Sequence, residues 1–85
     1  MIKNNFIISY IRKLNYESAR MFALNFGISF SDAEIRIILP YLQANAPYLL
    51  TLNNLNKKIH IDLDPLINVN SVNKLCLLFH KLGYN

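Results

Sequence analysis

The stretch Phe30-Ser31-Asp32-Ala33-Glu34-Ile35 constrains this chain more than any other. Ser31 and Glu34 have the S-x-x-E spacing of a capping box. In that motif the serine hydroxyl accepts from the N–H of the third helical residue, and the side chain of that residue accepts from the serine N–H. Phe30 and Ile35 occupy the two positions at which apolar side chains staple the incoming chain to the first turn. A helix is therefore predicted to start at Asp32, with Ile35, Ile38, Leu39 and Leu42 on one face. Pro40 falls inside that pattern. It deletes the hydrogen bond to the Arg36 carbonyl and biases Leu39 away from αR, which predicts a kink or a break.

Helical periodicity extends through most of the sequence. Phe6, Ile7, Tyr10, Ile11 and Leu14 form adjacent stripes of a first helix ending near Leu14. Asn15 is placed to cap a second helix, with Glu17 in its first turn and Ala19, Phe22, Ala23 and Phe26 on one face. Gly27 suits the left-handed position past its end. Asn45-Ala46-Pro47 reads as a break, followed by a fourth helix with Leu52, Leu55 and Ile59 inward, weakened by Asn53, Asn54 and Asn56. Residues 59–63 alternate with period two, as a short extended segment or as the frayed end of helix four. Asp64-Pro65 has the form of a cap followed by proline at the first helical position. The last helix then carries Leu66, Val69, Val72, Leu75, Cys76, Phe79 and Leu82, with an interruption near 68–71 left open, and Gly83 ends it.

On this reading all five carboxylates (Glu17, Asp32, Glu34, Asp62 and Asp64) stand at helix beginnings, where the dipole and unpaired N–H groups stabilise them. Each has a structural task, and none is left that looks catalytic. The fold expected is all-α: one domain over residues 1–85, a small single-layer bundle of four to five short helices with a kink or break at Pro40. Its core is expected to include Phe22, Phe26, Ile35, Ile38, Leu42, Leu75 and Phe79.

Three stretches carry a family resemblance: YESARMFALNFGISFS from Tyr16 to Ser31, SDAEIRIILPYLQ from Ser31, and Val72-Asn73-Lys74-Leu75. The chain resembles an uncharacterised family of short helical proteins from low-GC Gram-positive bacteria, a domain of unknown function. The resemblance spans most of the length and is one of pattern. It implies a helical fold. The family has no established activity, so no functional residue is carried over from it.

Composition narrows the functional classes. Only 16% of residues are charged, against roughly 25% in an average domain, while 53% are apolar. The net charge of +4 is spread out: Arg12, Lys13, Lys57, Lys58 and Lys81 fall near expected helix C-termini, where the dipole favours cations. No cluster exceeds two basic residues, so a phosphate-tracking patch is disfavoured. The alternative of a nucleic-acid-binding protein rests on a helix-turn-helix spacing, Ala23 to Gly27-Ile28-Ser29, within the helix pair 16–43. Its recognition helix would lead with Asp32 and Glu34 toward phosphates, answered only by Arg36. His60, Asp62, Cys76 and His80 can be drawn as zinc ligands, but no paired-ligand spacing supports them. Cys76, flanked by Leu75 and Leu77, reads as a core residue rather than a reactive thiol. No cofactor, metal or catalytic residue is expected. Neither a signal peptide nor a membrane span is visible, and the lone cysteine excludes an internal disulfide, which together point to the cytoplasm.

The apolar surplus carries the functional expectation. Helix three and the segment Leu75–Phe79 are apolar nearly all round, more than one stripe can hide in a small bundle. A protein–protein interaction module or homo-oligomer is expected, with Ile37, Tyr41, Leu77 and Leu78 as the partner surface. The bland counterpart is a helix three threaded through the middle of the bundle.

Overall fold

A computed structural model describes residues 2–84, and among them the only regular elements are five helices: α1 Ile2–Lys13, α2 Tyr16–Asn25, α3 Asp32–Leu49, α4 Leu55–Leu63 and α5 Val69–Lys81. Both expected caps at the front of the bundle are present. Asn15 Oδ1 accepts from Ser18 N–H at 2.8 Å, and Ser18 Oγ returns the bond to Asn15 N–H at 2.9 Å. Ser31 Oγ accepts from Glu34 N–H at 3.1 Å, while Glu34 Oε1 accepts from Ser31 N–H at 2.7 Å. Phe30 and Ile35, the staple pair, are both buried.

Two glycines end helices in the same way. Gly27 (φ +78°) follows α2 and Gly83 (φ +97°) follows α5. In each case the next residue reaches back over the last turn: Ile28 N–H to the Ala23 carbonyl at 3.0 Å, Tyr84 N–H to the Phe79 carbonyl at 2.8 Å. This is the Schellman arrangement, and its left-handed residue favours glycine.

Helix α3 is the hub. It buries Ile35, Ile38, Leu39, Leu42, Ala46 and Leu49, packs on α1 and α2, and has a polar tie to every other helix. Gln43 Nε2 donates to the Ile11 and Leu14 carbonyls at the end of α1 (3.2 and 3.0 Å). Arg20 of α2 donates to Asp32 at 2.7 Å. Tyr41 donates to Asp62 of α4 at 2.7 Å. Glu34 accepts from Ser71 and Lys74 of α5. Helix α4 packs in turn on α5. The threaded central helix thus accounts for much of the apolar surplus of residues 32–49.

Several expectations are corrected. The helix does not break at Asn45-Ala46-Pro47; α3 continues through both Pro40 and Pro47 to Leu49. Each internal proline costs on the order of 3 kcal/mol. The inward faces on either side of them, Leu39, Leu42, Ala46 and Leu49, are nearly inaccessible to solvent, and that continuous burial outweighs the loss. Residues 59–63 are helical, because Ile59 and Leu63 share a buried face with Leu55. Asn54, a weak interior residue, serves as the cap of α4 and accepts from Lys57 N–H at 3.3 Å.

Asp64-Pro65 does not open the last helix. Asp64 is the C-cap of α4, Pro65 lies in the turn beyond it, and α5 begins at Val69 behind Asn68. A proline just past a helix end fits equally well, since it cannot continue the helix. Leu66 and Val69 are consequently exposed. Asp62 and Asp64 stand at the end of α4 where the dipole opposes them. They are held instead by Lys58 and Tyr41 (3.0 and 2.7 Å) and by His60 (2.8 Å) respectively. Phe22 and Phe26 are half-buried, not core; Ala19 and Ala23 take the buried face of α2.

Candidate interaction surface

The four residues expected to form a partner surface are placed very differently. Ile37 is 37% and Leu77 is 47% exposed, whereas Leu78 is 7% exposed and belongs to the core. Leu78 is therefore removed from any contact surface. Its side of α5 faces inward with Leu75 and Phe79. Tyr41 is half-buried and committed to Asp62; burial, reinforced by the Asp62 carboxylate, pushes its hydroxyl well above the usual tyrosine range. The same hydrogen bond, with Lys58, holds Asp62 below the usual carboxylate range.

A second set of exposed apolar side chains lies on α1 and α2. Phe6 is 71% and Met21 53% exposed, and Tyr10 and Tyr16 are exposed as well. Tyr10, Phe22 and Phe26 form a row of tilted rings with centroids 5.1 and 5.2 Å apart. A shallow, open groove begins at Tyr10 and Phe22 of this row, with Tyr16 and Met21 around it and Asn15, Ser18 and Asn25 on its polar sides. Glu17 lies in the groove wall, and it alone of the five carboxylates has no ion pair among the described residues. Sequence reasoning missed this surface because it turned both phenylalanines of α2 inward. The available signal was that Ala19/Ala23 and Phe22/Phe26 are two adjacent stripes of a ten-residue helix, and the close approach of its neighbours buries the smaller residues.

The polar cluster at the start of α3 is the other candidate. Lys74 Nζ donates to Glu34 Oε1 at 2.9 Å and to the Ser29 carbonyl at 2.8 Å, and lies 5.0 Å from the Phe30 ring centroid. Ser71, a buried polar residue, donates to Glu34 Oε2. Burial alone would raise the Glu34 pKa; the bonds from Ser71, the Ser31 N–H and Lys74 outweigh it and bring the pKa down to about 2. Such a carboxylate is a feeble base, and every oxygen of it is engaged. The arrangement clamps α5 to the α3 cap.

The helix-turn-helix residues are equally committed. Ala23 and Ile28 are buried, the Ser29 carbonyl is bonded to Lys74, and Asp32 is paired with Arg20. The Arg36 guanidinium lies over the Tyr16 ring at 5.5 Å. The hypothetical zinc ligands are dispersed into other roles: His60 pairs with Asp64, Asp62 with Tyr41, and Cys76 is buried, its thiol pushed up by burial and by Asp64. Among the described residues no group of three or more His, Cys, Asp or Glu side chains is placed to hold a metal ion. No helix among them is long and apolar enough to cross a membrane. No known family, curated protein or solved structure matches the chain, so the family resemblance rests on the quoted stretches alone.

Proposed function

We propose that the chain is a small protein-interaction module whose α1–α2 face docks an amphipathic helix of a protein partner. The observation that carries it is the aromatic row Tyr10–Phe22–Phe26 with Met21 exposed beside it. Aromatic residues and methionine are enriched where interfaces are buried, and an apolar groove with polar edges matches the apolar stripe and polar flanks of such a helix. Glu17 in the groove wall, without an ion pair among the described residues, favours a basic residue on the partner's flank. A role without catalysis accords with the engaged Glu34, the buried Ser71 and the raised Cys76 thiol. A cytoplasmic setting accords with one unpaired, buried cysteine.

A photoreactive residue at position 25, at the exposed edge of the groove, tests the proposal. It is expected to give one defined protein adduct in native cells, and Met21→Glu is expected to abolish it while leaving the circular dichroism spectrum unchanged. Light scattering on gel filtration tells a second copy from a different protein. A strict monomer with no Met21-dependent adduct refutes the reading.

A further inference from the structure

The core beneath α1 is not completely filled. A cavity of about 40 Å³ lies where α1, α2, α3 and α5 meet. Its origin is legible in the residues of α2. Ala19 and Ala23 point into the core, while the Phe22 and Phe26 rings stay at the rim. Two methyl groups thus stand where rings would reach, and a gap remains between Ile7 and Ile11 on one side and Leu42 and Leu78 on the other.

The chemistry of the walls decides what can occupy the space. A void of about 10–15 Å³ already admits a water molecule, but that water needs two to four polar partners. The side chains around this void are aliphatic or aromatic. Water gains nothing there, and an apolar guest gains dispersion contacts that the empty walls lack. Helix α1 forms one wall of the cavity. The hydrogen bonds described between it and α3, from Gln43 to the Ile11 and Leu14 carbonyls, lie at its C-terminal end. Toward its start Phe6 is exposed and Ile7 and Ile8 are half-buried. Sparse burial of this kind marks the low-stability end of a fold, where local opening concentrates.

We propose that the cavity under α1 is a binding site for a small apolar molecule lacking hydrogen-bonding groups, with α1, which contributes Ile7, Tyr10, Ile11 and Leu14 to its wall, as its cover. Tyr10 and Phe22 stand between this cavity and the outer α1–α2 groove, but xenon reads the inside of that wall and the crosslink its outside, so either proposal can fail alone.

Xenon is the probe. With the wild-type chain under xenon pressure, the folded-to-unfolded ratio is expected to double when free xenon reaches its Kd, and to go on rising by mass action. Methyl resonances of Ile7, Ile11, Leu42 and Leu78 are expected to shift together, ahead of those elsewhere. Ala23→Val and, separately, Ala19→Val add bulk to the walls and are expected to abolish both responses. The wild-type measurement decides by itself if either variant fails to fold. No change in unfolding midpoint or in these methyls overturns the proposal. So does a response undiminished in a folded, filled variant.

Discussion

Acidification should unfasten α5 from α3 through one carboxyl group. Glu34 receives the Ser31 N–H, the Lys74 ammonium and the Ser71 hydroxyl, and its pKa falls from an ordinary 4.5 to about 2. Because the folded value is the lower one, the unfolded chain takes up the proton first. The stabilisation is therefore complete above about pH 5 and is lost progressively as the pH falls to about 2. At roughly 1.4 kcal/mol per pH unit, the fall from 4.5 to about 2 corresponds to at most about 3 kcal/mol. That is a large share of the few kcal/mol a domain of this size holds. Part of it comes from Lys74, whose side chain is 36% exposed, so that part should weaken with salt. The assay is urea unfolding at intervals from pH 7 to pH 2, with Glu34→Gln as the comparison. Glutamine retains the capping-box geometry and cannot titrate. Both proteins gain positive charge in acid, and both retain Asp62, whose pKa is also lowered, so the difference between the curves isolates Glu34. Equal losses in both proteins, or a Glu34 carboxyl-carbon midpoint near 4.5 by NMR, would refute the reasoning.

Two further outcomes are expected from the α3 helix. Ser31→Ala removes the acceptor for the Glu34 N–H and should cost about 1 kcal/mol, read as a lower urea midpoint at constant slope. Pro40→Ala should stabilise. Pro40 is exposed, so little packing is lost, and the Arg36 carbonyl regains a donor. Against the ~3 kcal/mol cost of an interior proline stands ~1 kcal/mol of regained unfolded-state entropy, leaving a gain of about 1–2 kcal/mol. An unchanged or lower midpoint for that variant would show that the ring is needed where it stands.

What the sequence made legible was local. The Asn15 and Ser31 caps, the Phe30–Ile35 staple and the Gly27 and Gly83 helix ends lie within a few residues of their partners, and all are present. What escaped depends on distant parts of the chain. Pro47 reads as a break until Leu42, Ala46 and Leu49 are seen buried on both sides of it. Asp64-Pro65 matches a helix start and a helix end equally, and the choice falls to His60, which pairs with Asp64 from one turn earlier. Phe22 and Phe26 look more like core than Ala19 and Ala23, and only the closeness of the neighbouring helices decides for the alanines. Ile37 and Leu77 were recognisable as outward residues by helix periodicity. Leu78 was not, because Leu77 and Leu78 are adjacent, about 100° apart around the helix, and only the packing of α5 decides which of the two turns inward.

The hub position of α3 has a consequence for the order in which the bundle can close as it is made. Arg20 and the carbonyls of Ile11 and Leu14 have already been synthesised when Asp32 and Gln43 emerge, so α1 and α2 can dock at once. Glu34 waits longer. Its partners Ser71 and Lys74 lie 37 and 40 residues further on. Through that interval the α3 face shared with Leu75 and Phe79 has no cover, and Glu34 has only its own cap. Until α5 is made, the nascent chain can hold α1 to α4 only with one apolar side of α3 open, so α5 can close the fold only last.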